Sequence, residues 1–197
     1  MKTIKAILLA IAVMVSIGAS AQLPFSIGIK GGANLSNLSG DLKDTSSRGG
    51  FNAGLFARLS IPMTGFYVAS GAEITTKGAK YKDEGLEIKA NPMYLQIPLH
   101  VGYKISLIPT TRLLIHAGPY WAYGLSGKVK AEGEKIDFFS DDFCKKNDFG
   151  LGVGLGAEFW KFGVDVGYDF GLTNISQNSD FKVNNRNAYL SFSYRFM

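Results

Sequence analysis

The chain has 197 residues, with 21 Lys and Arg against 16 Asp and Glu, a formal net charge of +5 and a single cysteine, Cys144. A charge this small over one domain gives no footprint for nucleic acid, so no nucleic-acid partner is expected. A lone cysteine excludes an internal disulfide, so stability has to come from elsewhere.

Residues 1–21 read as a cleavable secretory signal. Lys2 and Lys5 open it, residues 6–17 are apolar, and Ala19-Ser20-Ala21 forms a small-residue cleavage site before Gln22. An N-terminal anchor is the competing reading, but the apolar run is shorter than the roughly 20 residues a spanning helix needs. No cysteine follows the site, so no lipid anchor is expected there. Residues 22–197 then form one domain. Cys144 lies among Asp141, Asp142, Lys145 and Lys146 and reads as part of a solvated loop.

Eight runs of period-two alternation follow, and period two means β-strand. They occupy residues 25–34, 51–61, 66–77, 93–103, 113–125, 149–159, 162–172 and 187–196. In the first, Phe25, Ile27 and Ile29 alternate with Ser26, Gly28 and Lys30. In the third, Ser70 is a polar exception on the apolar face. The sixth and seventh are the clearest. Leu151, Val153, Leu155, Ala157 and Phe159 alternate with glycines and Glu158. Phe162, Val164, Val166, Tyr168 and Phe170 alternate with Gly163, Asp165, Gly167, Asp169 and Gly171. Joined at Trp160-Lys161, the two runs pair so that residue numbers sum to 321, which puts both apolar faces on one side. No charged residue falls on any of the eight apolar faces. A charge facing a bilayer midplane costs about 2–4 kcal/mol, so this pattern fits strands with lipid outside and a polar interior.

The links alternate in length. Short turns lie at 62–65, 106–111 and 160–161. Long polar links lie at 35–50, 78–92, 126–148 and 173–186. That rhythm belongs to small outer-membrane barrels, with short periplasmic turns and longer outer loops. Aromatics fall at both ends: Phe159, Trp160, Phe162, Tyr103 and Phe196 by the short turns, Trp121, Tyr123, Tyr168 and Phe170 by the long links. Amphipathic rings favour both interfaces. The expected fold is all-β, an eight-stranded antiparallel up-and-down transmembrane β-barrel.

Eight strands enclose a bore that side chains can fill. Parity places Lys30, Arg58, Lys104, Arg112 and Arg195 inside with Glu73, Glu158, Asp165 and Asp169, as candidates for lumen ion pairs, since buried charge has to be paired or hydrated. The expected lumen is therefore polar and plugged. The glycine wall of strands six and seven leaves space. Phe56, Arg58 and Tyr67 from the opposite wall are expected to occupy it; a void larger than a few waters would point to a ligand cavity. His100 and His116 are the only histidines, both inward. If their strands pair with numbers summing to 216, they sit directly opposite, with Cβ atoms about 5 Å apart. A hydrogen-bonded pair is the expected role; as a metal site two ligands are weak. No cofactor motif is present: the G-x-G matches are strand glycines.

Tyr94-Leu95-Gln96-Ile97-Pro98-Leu99 through Lys104 resembles the Tyr-Leu-x-Ile-Pro-Leu strand of the PorT-like outer-membrane β-barrel family. Residues 28–36, 76–80 and 116–120 match that family's rhythm. The resemblance implies an eight-stranded barrel of a Gram-negative outer membrane, exported by the general secretory route and inserted by the barrel-assembly machinery. Tyr194 and Phe196 match the expected terminal strand, although Met197 follows the last aromatic. The family takes its name from a secretion-system component. Outer-membrane lipid is one expected partner, and a protein bound through the loops another. Three functions stay open: a non-enzymatic barrel contacting a partner or ligand, a subunit of a protein-secretion apparatus, and a small-solute porin or lipid-modifying enzyme. The enzyme reading needs a nucleophile and base on the lipid face, and no Ser-His-acid set appears there.

Overall fold

A computed structural model describes residues 25–41, 45–83, 86–131, 134–139, 144–177 and 182–196. The expected signal segment lies outside these residues, as does Met197. Ten strands are present: β1 (Phe25–Gly40), β2 (Thr45–Ser60), β3 (Phe66–Thr76), β4 (Ala79–Asp83), β5 (Leu86–Ile108), β6 (Thr111–Ala131), β7 (Glu134–Asp137), β8 (Asn147–Phe159), β9 (Phe162–Gly171) and β10 (Val183–Arg195). Eight of them close into an antiparallel ring, β1-β2-β3-β5-β6-β8-β9-β10, with β10 returning to β1 from Gly28↔Arg195 to Gly40↔Val183. Closure removes the edges of these eight strands, which a strand in hydrocarbon requires; β7, outside the ring, pairs only with β6.

Side-chain alternation sets the two surfaces. Along β8 the residues alternate exposed and buried for almost the whole strand. Leu155 is 56% exposed on the outside, whereas Glu158 is 6% exposed on the inside. Val166 and Phe192 also point out, and Asp169 and Ser191 point in. Apolar groups outward and polar groups inward is the reverse of a soluble sandwich. Ser70, the exception on the outer face, has a local reason: its hydroxyl donates to the Pro98 carbonyl at 2.8 Å. Pro98 has no N–H to give the ladder, and the β3–β5 pairing is interrupted beside it, between Ser70↔Leu99 and Glu73↔Gln96.

The β8–β9 hairpin pairs from Gly150↔Gly171 to Phe159↔Phe162, the register expected. The β5–β6 hairpin does not follow the expected one. His116 lies opposite Gly102, not His100, because numbers there sum to 218. The shift comes from where the chain turns: a two-residue turn at Pro109-Thr110 pairs Ile108 with Thr111, a sum of 219, and a bulge that leaves Leu107 unpaired lowers it to 218 from Ser106↔Arg112 onward. The strands also run further than the apolar alternation reached. β5 begins at Leu86 and β6 ends at Ala131, and they still pair at Asn91↔Lys128. Backbone hydrogen bonding continues above the apolar belt, where outward residues become polar.

The stretches expected to be polar links contribute most of a buried apolar cluster, which the ends of β5 and β6 complete. Leu38, Tyr94, Tyr120, Phe138, Phe139 and Ile175 pack together with Cys144 at the long-link end. Cys144 is therefore not in a solvated loop: it is 7% exposed, bridges to Ser176 across a β-bridge, and burial pushes its thiol up to about 11. Its charged sequence neighbours misled; Phe138-Phe139 was the apolar signal in that link.

Rings gather at both ends of the barrel. Trp160, Phe162, Tyr194 and Phe196 form a chain of contacts with centroids 5.3–6.3 Å apart at the short-turn end. Tyr168 packs on Phe170 at 4.5 Å, and Trp121 beside Tyr123 at 6.2 Å, at the other end.

Candidate functional site in the barrel lumen

The lumen is layered. Nearest the long links, Lys77 Nζ pairs with Asp148 Oδ2 at 3.0 Å, both side chains 0% exposed. Lys77 follows the end of β3, where Gly78 turns the chain with φ of 116°. The Lys77 ammonium lies 4.3 Å from the Tyr120 ring centroid and 5.3 Å from that of Tyr94. Asn185 Nδ2 donates to the same Asp148 oxygen at 3.0 Å. A buried ion pair needs such extra donors and ring faces to offset lost hydration. Lys77 closes the third alternating run on its inward side, but Asp148 falls at the end of the link 126–148, so alternation gives no sign of the pair.

The middle layer is a connected network. Lys30 Nζ meets Glu73 Oε2 at 2.6 Å. Gln96 Nε2 bridges Glu73 Oε1 at 3.2 Å and Asp169 Oδ2 at 3.1 Å. Asn187 Nδ2 also donates to Asp169, at 3.3 Å. Asp169 is thus held by amides, with no ion-pair partner among the described residues. Sequence parity put Gln96 and Asn187 inside but gave no reason to single them out.

His100 and His116 do come together. Their rings stack with centroids 4.9 Å apart, and the Nδ1 atoms lie 3.0 Å from each other. One nitrogen therefore donates and the other accepts. His116 Nε2 reaches Asp165 Oδ2 at 3.0 Å, so both of its nitrogens are engaged. Among the described residues neither imidazole is hydrogen-bonded to a hydroxyl or thiol. Among the described residues no group of three or more His, Cys, Asp and Glu is arranged to hold a metal ion.

The glycine wall is covered mainly by its neighbours rather than from across the bore. A methyl on Gly150 would meet the Tyr120 ring at 2.5 Å; one on Gly154 would meet His116 at 2.5 Å and the Tyr189 hydroxyl at 3.0 Å. His100 and Asp169 cover Gly152 in the same way, at 2.9 Å. Phe56 instead lies over Gly28, and Tyr67 over Gly102. A half-open cavity of about 90 Å³ remains, lined by Lys30, Arg58, Tyr67, Glu73, His100 and Asp165 among others. That is room for about six or more waters, so the expected filling by side chains from the opposite wall is incomplete and open space of the ligand-cavity kind remains at this level.

At the short turns, Arg58 Nη1 binds Glu158 Oε1 at 2.5 Å. Arg112 and Arg195 approach Glu158 Oε2 at 3.9 and 3.8 Å. Lys104 has no carboxylate within ion-pair distance among the described residues; its ammonium donates to Ser60 Oγ at 3.4 Å.

A closed ring of eight antiparallel strands, apolar outside and charged within, defines a transmembrane β-barrel. Residues 19–177 match the model of the outer membrane protein beta-barrel domain family, and the chain belongs to that family. Three solved structures share the fold. The attachment invasion locus protein Ail of Yersinia pestis matches at 18% identity over 87% of this chain and 98% of its own, with a TM-score of 0.50. Neisserial surface protein A matches at 17% identity over 86% and 97%, with a TM-score of 0.51. OprG of Pseudomonas aeruginosa matches at 14% identity over 87% and 95%, with a TM-score of 0.50. No curated protein matches the sequence.

Proposed function

We propose that this protein is a non-enzymatic scaffold of a Gram-negative outer membrane, with an occluded lumen and with long-link loops that bind a partner. The observation that carries the reading is the Lys77–Asp148 pair, fully buried beneath the apolar cluster of Tyr94, Tyr120, Phe138 and Ile175. A solute crossing the barrel has to pass both layers. Doing so means separating a desolvated ion pair and unpacking aromatic side chains, and neither is a low-barrier event. Export through a signal at residues 1–21, insertion by the barrel-assembly machinery and short turns in the periplasm belong to the same reading. A non-enzymatic role is supported by His116, whose two nitrogens are taken up by His100 and Asp165, and by the buried thiol of Cys144.

Purified protein reconstituted in a planar bilayer tests it. The expected trace stays at baseline, without steady unitary steps. Reproducible ohmic steps from folded, heat-modifiable protein would replace the occluded barrel with a small-solute porin.

The resemblance of Tyr94 through Lys104 to the PorT-like strand favours a second reading, a subunit of a secretion apparatus. That reading requires a stable complex when the protein is captured from its native membrane in mild detergent. Recovery of the monomer alone sinks it.

A further inference from the structure

We propose that the short-turn mouth of the lumen binds inorganic phosphate. Four cationic side chains converge there from four strands: Arg58 on β2, Lys104 on β5, Arg112 on β6 and Arg195 on β10. One carboxylate stands among them, Glu158 on β8. A single acid does not neutralise four bases, so the mouth carries excess positive charge and attracts an anion.

The hydrogen bonds say which anion. Each guanidinium has five N–H donors. Arg58 spends one on Glu158 Oε1, and its buried Nε has no acceptor. Arg195 spends one on the Trp160 carbonyl at 2.6 Å. The Arg112 guanidinium makes no hydrogen bond among the described residues, and its approach to Glu158 is 3.9 Å. Lys104 reaches only a hydroxyl, at 3.4 Å. Donors are thus in surplus on Arg112, Lys104 and Arg195. The surplus acceptor is Glu158 Oε2, which lacks a donor although the residue is 6% exposed. A matching ligand offers several acceptor oxygens and one hydroxyl. Hydrogen phosphate has both at neutral pH. Sulfate has the oxygens and no proton, and the phosphodiester headgroup of a lipid has none either. The side chains of Arg112 and Arg195 are 28% and 19% exposed, so the ligand reaches them from bulk water, with the buried acid at the far side.

Calorimetric titration of the folded protein in uncharged detergent, at neutral pH and low salt, tests this with inorganic phosphate and with sulfate. Phosphate is expected to bind saturably and sulfate about tenfold more weakly or worse, as the loss of one charge-assisted hydrogen bond dictates. Arg112→Gln and Lys104→Gln are each expected to weaken phosphate about tenfold on the same grounds. If those variants fail to fold, the wild-type comparison of the two anions still decides. No saturable phosphate binding, or equal binding of both anions, overturns the site, as does affinity that is unchanged in folded Arg112→Gln and Lys104→Gln proteins.

Discussion

Lys77→Met is expected to cost about 3–5 kcal/mol of unfolding free energy, the penalty for leaving one buried charge without its partner. Asp148 is 0% exposed, and besides Lys77 it has only neutral donors, Asn185 at 3.0 Å and the Tyr120 hydroxyl at 3.4 Å. Neutral donors soften a buried carboxylate but do not cancel its charge. Lys77→Met with Asp148→Asn removes both charges, keeps a side-chain oxygen for Asn185, and is expected to recover most of the loss. Urea unfolding of refolded protein in micelles, followed by tryptophan fluorescence, reads both values. A loss below about 1 kcal/mol for Lys77→Met would mean the pair behaves as an exposed one and that water reaches Asp148. The upper layer would then not be sealed, and the occluded lumen would lose its main support.

Leu155→Arg is expected to cost about 2–4 kcal/mol, the penalty for a guanidinium near the bilayer midplane on the lipid face. Leu155 is 56% exposed, in the middle of the outer belt opposite Ile115 and Val166. Leu172 lies just beyond the end of β9, at the long-link rim, and is 63% exposed. Leu172→Arg is expected to cost only about 0–1 kcal/mol, because the arginine there reaches the interface. The two side chains are similarly exposed, so depth in the bilayer is the variable tested. Equal costs in lipid vesicles would count against a bilayer belt centred near Leu155.

Much of the fold is legible because a membrane barrel writes one rule on every strand. The β8–β9 register follows from two constraints, a tight turn at Trp160-Lys161 and two apolar faces that must coincide. The β5–β6 register escaped because pairings that sum to 216 and to 218 leave every side chain on the same face. Alternation cannot tell them apart; the turn at Pro109-Thr110, with its bulge at Leu107, does. Parity also put Lys30 and Glu73 inside, but which cation meets which acid depends on strand stagger around the ring. Lys77 and Asp148 are 71 positions apart and meet across the bore, where no local pattern joins them. The burial of Cys144 was hidden for a related reason. The charges beside it describe the water side of the link, and its inner side is set by Phe139 earlier in the same link and by Tyr94 and Ile175 from elsewhere in the chain.

The lipid-facing exterior is tested most directly by spin labels scanned through positions 151–156 in a Cys144→Ser background, in bilayers. Labels at 151, 153 and 155 should be relaxed strongly by oxygen and weakly by a polar nickel chelate, with labels at 152, 154 and 156 shielded from oxygen. A profile without period two, or one with the odd positions open to the nickel reagent and closed to oxygen, would turn the barrel's surfaces around and contradict the reading.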